Sequence, residues 1–263
     1  SESIKSLTGD AKEAALQNIK LWLTDPMFQE YVPQIQYWVE SKKWDKLLNS
    51  FYQVLPFGTG GRRGSVGIGP NRINGWTIQS SAQGHSRYLI NKFGEEAKKR
   101  GIVLTYDVRK YTQKGVYNDE ISNPVQNLDG ERLSHLAAQV YAANGIQVYL
   151  YRAPRSTPQL SFSIRYLHAI SGAMFSASHN LSTDNGKKVY DEFGGQLIPP
   201  LDQMLVDEVT QNVKEINTIP FEQACEQNLI TFLDESIDNA YHDAVCKLSC
   251  SSERDIHILY SAL

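Results

Sequence analysis

The sequence has few cysteines, little net charge and no long apolar run. Its 3 cysteines among 263 residues have spacings that do not suggest a disulfide framework, so we expect free thiols and a reducing compartment. The 26 Lys and Arg residues against 29 Asp and Glu residues give a formal net charge of -3. This balance excludes the overall basic footprint of a protein that binds nucleic acid or acidic membranes. Any anion site must therefore be local.

The sequence also shows no hydrophobic segment of the kind found in signal peptides or membrane spans. The amino-terminal segment, SESIKSLTGDAKEAA, is polar, and no stretch approaches the roughly 18 consecutive apolar residues that cross a bilayer. We therefore expect a cytoplasmic protein without a membrane or nucleic-acid partner. The 41% hydrophobic residues suffice for one large or two modest cores.

Hydrophobic periodicity predicts three parts of the chain. Residues 1–50 contain two or three leading helices, which we expect to pack on the first domain. Residues 51–216 alternate strand-like and helical patterns, which predicts an α/β domain with a mixed sheet layered with helices. After a connector broken by Pro220, residues 227–263 are predicted to begin a second, incomplete α/β unit.

The individual elements follow from the same periodicity. Predicted strands lie at residues 102–106, 146–151, 172–176 and 255–263. Predicted helices lie at residues 76–99, 132–143, 160–170, 201–216 and 230–248.

A glycine-dense segment, FGTGGRRGSVGIG, occupies residues 57–69. Its composition excludes a regular helix and predicts a loop or linker. The glycines lack the G-x-G-x-x-G spacing, and no lysine follows them as in a Walker loop, so nucleotide binding is not indicated. Within this segment, Arg62 is interpreted as part of a solvated basic turn.

A polar segment at residues 176–188 follows a predicted strand, where α/β sheets place their sites. A serine hydroxyl is a weak nucleophile alone, but Ser178 has His179 as a candidate proton partner and Lys188 as a cation for an anionic group. The alternative is that Ser178, His179 and Asn180 only cap and turn the connection. The residue types alone leave both interpretations open.

The segment SASHN at residues 176–180, followed by DNGKKVY, resembles the phosphoserine loop of the α-D-phosphohexomutase family. That loop reads threonine-alanine-serine-histidine-asparagine-proline, and then asparagine-glycine-any residue-lysine. The resemblance implies that Ser178 carries a transferable phosphoryl group, that His179 is its neighbour and that Lys188 helps to move the proton.

This loop departs from the family pattern at two positions. Ser176 replaces threonine, which keeps a hydroxyl group. Leu181 replaces proline, which removes some stiffness from the loop.

Three further segments occur in the order that the family requires. The segment from Phe57 to Gly64, including Thr59, is similar to the family's opening loop, whose arginine faces the phosphoserine and corresponds to Arg63. A guanidinium suits this role because it offers paired donors to a phosphate. Asp107-Val108-Arg109 and Ser156-Thr157-Pro158 are similar to two family segments that we interpret as architectural.

The resemblance implies a phosphosugar mutase that moves a phosphoryl group on a hexose or pentose phosphate through a phosphoserine and a bisphosphate. It implies Mg²⁺, held by the phosphate of Ser178 and an aspartate loop of the second domain, and a sugar 1,6-bisphosphate activator. That aspartate loop is missing from this sequence, so we expect the chain to need the remaining family domains and to be inactive alone. The alternative is a non-catalytic relative that binds phosphate or a partner.

Two other sets of residues are assigned structural roles. Asp129-Gly130-Glu131-Arg132 has too few carboxylates for the metal loop and is interpreted as a helix start. His242, Cys246 and Cys250 are spaced to share one helix face, which is compatible with a metal site, but we favour core packing.

Overall fold

The structure is a computed structural model that describes residues 9–58, 60–200, 202–209, 213, 215–253 and 255–259. The helices are α1 (Gly9–Thr24), α2 (Val32–Glu40), α3 (Trp44–Phe51), α4 (Gly75–Phe93), α5 (Glu95–Arg100), α6 (Gly130–Ala143), α7 (Thr157–Tyr166), α8 (Gln203–Asp207), α9 (Phe221–Glu226) and α10 (Glu235–Cys246), with a short 3-10 helix at Pro26–Phe28. The strands are β1 (Gly61–Ser65), β2 (Ile102–Tyr106), β3 (Val148–Tyr151), β4 (Ser171–Phe175), β5 (Asp184–Tyr190) and β6 (Ile230–Leu233). None of the described helices is long and apolar enough to cross a membrane.

One mixed sheet organises the fold, with the strand order β1-β5-β4-β2-β3-β6. Strands β2, β3, β4 and β6 run parallel, while β5 is antiparallel to both of its neighbours. Along β2, Ile102 and Leu104 join the larger apolar core with α6, whereas Val103 joins a second core with Leu160 of α7. Because successive strand residues point to opposite faces, helices cover both faces of the sheet. The predicted α/β class is therefore confirmed.

The leading helices pack on this domain through aromatic rings. Trp22 of α1 stacks on Phe28 with the ring centroids 4.3 Å apart. The same ring meets Phe51 of α3 edge-on at 5.5 Å and Trp76 of α4 at 5.6 Å. Buried aromatic rings contribute large apolar areas, so this cluster fixes α1 and α3 against α4.

Side-chain caps set the starts of the main helices. Asn74 and Thr77 form a reciprocal capping box at α4, and Asp129 accepts from the backbone N–H of Arg132 at α6. The interpretation of Asp129 to Arg132 as a helix start is thus confirmed. The predicted helix at residues 76–99 is divided into α4 and α5 at Gly94, whose φ of 57° lies outside the helical region.

The carboxyl-terminal part differs from the prediction. Ile230–Leu233, predicted as the start of a helix, forms β6 and pairs in parallel with β3. Arg155 joins α10 to the domain through two bonds to the Asp238 carboxylate, at 2.8 and 2.5 Å. Strand β6 therefore extends the first sheet, and α10 packs on the same domain. For residues 230–246, the prediction of a separate unit that starts at residue 227 is wrong.

Two other predicted elements are only partly within the described residues. Residues 255–259 form no strand in the structure, and residues 260–263 of the predicted strand lie outside the described residues. Of the predicted helix at 201–216, the part at α8 (Gln203–Asp207) is present. Residues 213, 215 and 216 are not helical, and Leu201, residues 210–212 and residue 214 lie outside the described residues.

Candidate active site

Strands β1 and β5 build one side of the site. They pair antiparallel, with Gly61 opposite Lys188 and Arg63 opposite Gly186. Directly opposed residues share a face of the sheet, so Arg63 and Lys188 lie on one face. The predictions of a glycine-rich loop and of a polar loop are wrong for Gly61–Ser65 and Asp184–Tyr190, because pairing between the two segments makes both of them strands.

Gly186 allows this close pairing. A Cβ atom at this position would lie 2.5 Å from the carbonyl oxygen of Arg62, well inside van der Waals contact. The glycine of the DNGKK segment is therefore required by the approach of β1. Thr59, just before β1, lies outside the described residues.

Ser178 lies in an exposed turn after β4. Its φ of 55° is in the left-handed region, which is uncommon for a residue with a side chain. The Ser178 backbone N–H donates to the Ser176 hydroxyl at 2.9 Å, which helps to hold this conformation. Nζ of Lys188 lies 2.9 Å from Oγ of Ser178. The sequence thus brings together the two residues predicted to carry the phosphoryl group and to move its proton.

Lys188 has an environment that favours its neutral form. Its side chain belongs to a residue that is 6% exposed. Burial lowers the pKa of the Lys188 amine from its usual 10.5, and the charges of Arg63 and Arg109 lower it further, against an opposing effect of Asp107. The neutral amine can accept a proton, so the lowered pKa suits Lys188 to proton transfer with Ser178.

Arg109 fixes the loop that carries Ser178. Its guanidinium donates to the backbone carbonyls of Ser178 at 2.7 Å, Asp184 at 2.8 Å and Leu181 at 3.1 Å. Nε of Arg109 in turn donates to Asp107 at 2.9 Å. Asp107 follows β2 beside the end of β4, so this pair ties the loop to the sheet edge. The architectural role predicted for Asp107 and Arg109 is confirmed.

Further hydrogen bonds compensate for the missing proline. The Asp184 carboxylate accepts from Ser65 at 2.9 Å and from the Asn180 amide at 3.1 Å. Leu181, at the proline position, is 75% exposed and contributes its carbonyl to Arg109. The loop is therefore held by polar contacts at both of its ends.

Comparison with known proteins shows which family the chain resembles. Residues 126–215 match the family model described as phosphoglucomutase/phosphomannomutase, alpha/beta/alpha domain I. The chain is 31% identical over 209 residues to phosphopentomutase of Mus musculus, covering 80% of this chain and 30% of that protein. It is 32% identical over 245 residues to phosphoglucomutase of Staphylococcus haemolyticus, covering 86% of this chain and 40% of that protein. The chain belongs to the α-D-phosphohexomutase family.

Solved structures of this family agree in fold. The putative phosphomannomutase of Thermus thermophilus aligns with a TM-score of 0.54 at 23% identity, over 74% of this chain and 36% of that one. The parafusin phosphoglucomutase of Paramecium aligns with a TM-score of 0.50 at 20% identity, over 75% and 38%. The chain thus spans well under half the length of these relatives.

Arg63, which is expected from the sequence to face a phosphoserine, is half-buried at an open cavity of about 410 Å³. Pro56, Gly58, Gly61 and Gln196 line the rest of this cavity. In the part of the chain that the structure describes, no carboxylate forms an ion pair with Arg63. Its guanidinium is thus placed to receive an anion on the face that it shares with Lys188.

His179 is less engaged than expected of a proton partner for Ser178, the role that the residue types suggested. Its side chain is exposed, and among the described residues it has no hydrogen bond to Ser178 or Lys188. The structure places His179 next to Ser178 in the chain, and no hydrogen-bond partner of its ring lies among the described residues.

A magnesium site is not complete in the described residues, where no group of three His, Cys, Asp or Glu residues could hold a metal ion. The acids near Ser178 are Asp107, paired with Arg109, and Asp184, bonded to Ser65 and Asn180. These residues do not fit the family's Mg²⁺ by themselves.

The cysteines do not form a site either. Cys225, Cys246 and Cys250 are free. Cys246 and Cys250 are exposed, so the interpretation of these two residues as core packing is wrong. Helix α10 ends at Cys246, which leaves Cys250 outside the helix face on which the spacing had placed it.

Arg62 and Lys187 are the charged residues that sequence reasoning missed. They oppose each other on the far face of the same strand pair, and they are 1% and 0% exposed. The interpretation of Arg62 as part of a solvated turn is wrong, because its neighbour Arg63 takes the open face. Recognising β1 and β5 as paired strands would have revealed this alternation.

Proposed function

We propose that this chain supplies the phosphoryl-carrying domain of a phosphosugar mutase, with Ser178 as the carrier. The observation that carries the proposal is the 2.9 Å contact between Lys188 Nζ and Ser178 Oγ. A serine with the amine of a buried lysine of lowered pKa beside it has a base for its proton. Family membership supports the same assignment.

The transfer step uses the residues as follows. Ser178 Oγ attacks a phosphorus atom of a sugar bisphosphate, and its proton moves to neutral Lys188 Nζ. The new Oγ–P bond forms as the bond from phosphorus to the sugar oxygen breaks, and that oxygen leaves with the electron pair and takes up a proton. In the full cycle, phosphorylated Ser178 first donates its phosphoryl group to the free hydroxyl of a sugar monophosphate, which gives the bisphosphate. The step above then returns the other phosphoryl group to Ser178, and the sugar leaves as the positional isomer.

Positive charge around Ser178 offsets the charge of the product. A phosphoserine carries about -1.5 to -2 near neutral pH. Arg63 and protonated Lys188 would donate to its oxygens, and Arg109 contributes its charge while its donors hold the loop. Arg109 is therefore a positioning residue in this proposal, and His179 has an unassigned role beside the nucleophile.

The wider reaction also forms part of the proposal. Names of relatives such as phosphopentomutase, phosphoglucomutase and glucose 1,6-bisphosphate synthase support a hexose or pentose phosphate as substrate and a sugar 1,6-bisphosphate as activator. Mg²⁺ would bind the phosphate of Ser178 together with acids from outside the described residues. The remaining family domains would supply these acids and the sugar contacts, so the chain alone would not complete turnover. Free thiols support a cytoplasmic setting.

Peptide mass spectrometry after incubation with glucose 1,6-bisphosphate and Mg²⁺ tests the carrier role. The wild type, Ser178→Ala and a same-loop control, Ser182→Ala, would be compared with and without the remaining domains. We expect phosphate on the wild type and on Ser182→Ala, and none on Ser178→Ala. Phosphate retained by Ser178→Ala would contradict the assignment. Reversible phosphate binding without transfer, even with the other domains present, would favour the non-catalytic phosphate-binding relative.

A further inference from the structure

A pair of buried basic residues lies behind the site, on the far face of β1 and β5. Arg62 and Lys187 are directly opposed across the two strands and have almost no exposed surface. Like charges in this relation destabilise a sheet, and burying an unpaired charge is costly. An arginine cannot escape that cost by losing its proton: burial lowers the Arg62 pKa only to about 10, which leaves it charged at neutral pH.

The protein partners of this pair are neutral. Arg62 donates to the backbone carbonyl of Thr77 at 3.2 Å, and Lys187 donates to that of Ser81 at 3.2 Å. The Lys187 amine also lies 5.3 Å from the centre of the Tyr141 ring. Within the described ranges, no ion pair includes Arg62 or Lys187. The positive charge is therefore without a carboxylate to balance it.

Two buried polar groups at this place also have no hydrogen-bond partner. They are Nε of Arg62 and the hydroxyl of Ser81. Thr77 and Ser81 lie four residues apart on α4, so they face the strand pair from the same side of that helix. Buried polar groups are almost always satisfied, and unpaired ones indicate a missing water or ion. An unused N–H of the unbalanced arginine and an unused hydroxyl on the helix that faces it indicate an anion.

We propose that Arg62, Ser81 and Lys187 enclose a binding site for one small monovalent anion of the halide class. The ion would accept from Arg62 Nε and the Ser81 hydroxyl and would contact the Lys187 amine. Its single charge balances the permanent charge of Arg62. Burial and the charge of Arg62 hold the Lys187 pKa well below its ordinary value, which reduces the positive charge at Lys187 that an anion would have to balance.

Desolvation selects the kind of ion. The enclosing residues Arg62, Ser81 and Lys187 are fully buried, so an ion must enter without its water shell. A monovalent halide loses its hydration at lower cost than a phosphate or sulfate dianion. Chloride and bromide therefore fit this site, which is separate from the Ser178 face and does not depend on the proposed transfer reaction.

Thermal unfolding tests the site. The melting temperature of the chain would be measured in sodium chloride, sodium bromide and sodium gluconate at equal ionic strength and fixed pH. Ligands that bind only the folded state raise the midpoint with concentration. We expect chloride and bromide to raise it by several degrees above gluconate. Equal midpoints in all three salts would overturn the proposal.

Variants test whether the halide effect on the melting temperature arises at Arg62, Ser81 and Lys187. Arg62→Met with Lys187→Met should remove the halide response, whereas Lys98→Met with Lys99→Met replaces two basic residues that lie away from the site, at half-exposed and exposed positions, and should keep it. Ser81→Ala keeps the charges and should weaken halide affinity at least several-fold. The double variant Arg62→Met with Lys187→Met could fail to fold. In that case the halide response of Ser81→Ala and anomalous diffraction from bromide-soaked wild-type crystals test whether the anion site exists. A peak within contact of Arg62 Nε supports the site, and its absence overturns it.

Discussion

Lys187 and Lys188 are adjacent on β5, yet their amines lie on opposite faces of the sheet in opposite kinds of surroundings. Lys188 reaches the hydroxyl of Ser178 in an exposed loop, while Lys187 is enclosed between the sheet and α4. Strand alternation alone produces this division. Of the two lysines in the DNGKK segment, the second, Lys188, is therefore the one that contacts Ser178.

Replacing Lys188 should separate its role as a base from its role as a charge. Lys188→Met removes both and should slow phosphate transfer to Ser178 by about 10²–10⁴-fold, the range for a lost general base. Lys188→Arg keeps the positive charge but cannot take up the proton, so we expect it to be nearly as slow. The rate of phosphate incorporation at Ser178, followed by peptide mass spectrometry, checks this. An active Lys188→Arg variant would show that charge alone is needed.

Stability should rise with pH because of Lys187. Its folded-state pKa lies well below 10.5 through burial and the charge of Arg62. Between that lowered pKa and 10.5 the unfolded chain binds more protons at this residue than the folded chain does, so the free energy of unfolding increases with pH. Urea unfolding over this range should show a positive slope that is reduced in Lys187→Met.

Lys98→Met provides the comparison for this slope, since Lys98 is exposed and pairs with Glu95 at 2.7 Å. The slope should be unchanged in that variant. An unchanged slope in Lys187→Met would mean that Lys187 stays protonated in the folded protein.

Sequence reasoning identified most of the site residues because they share short motifs. Ser178 and Lys188 were expected together and are in contact, and Arg63 lies on the face of Lys188. The helix start at Asp129 was also predictable, since a carboxylate that caps a helix is a local feature.

Features that depend on strand pairing were not predictable in the same way. The glycines of residues 61–65 and the charges of residues 184–190 argue against strands locally, and only their mutual pairing makes both segments regular. Likewise, β6 is a four-residue strand whose place beside β3 is decided by a long-range contact. Arg62 became a buried residue for the same reason.

Removing the Arg109 guanidinium should loosen the loop that carries Ser178. Arg109→Gln loses donors to three backbone carbonyls and its bond to Asp107. Bonds to charged groups contribute about 1.5–3 kcal/mol each at most, so local opening of the loop should become much easier. Hydrogen exchange of the amides at residues 177–185 should be faster in this variant.

Arg165→Gln is the matched control for Arg109→Gln. Arg165 is exposed, and its one hydrogen bond as a donor among the described residues goes to a carbonyl of its own helix, at Ser161. Its replacement should leave exchange of the Ser178 loop unchanged. Unchanged exchange in Arg109→Gln as well would mean that the remaining contacts of Asp184 are enough to hold the loop.

Gly186→Ala tests whether the close pairing of β1 and β5 creates the site. The added methyl group would lie 2.5 Å from a backbone carbonyl of β1, which cannot move aside as a side-chain end would. Overpacking of this kind costs about 1–3 kcal/mol, so we expect lower stability and a displaced Arg63. Gly195→Ala is the control, because its Cβ would meet only ordinary contacts at 3.6 Å. If chemical denaturation gives Gly186→Ala the same stability as Gly195→Ala, β1 tolerates a wider spacing and Arg63 does not depend on it for its position.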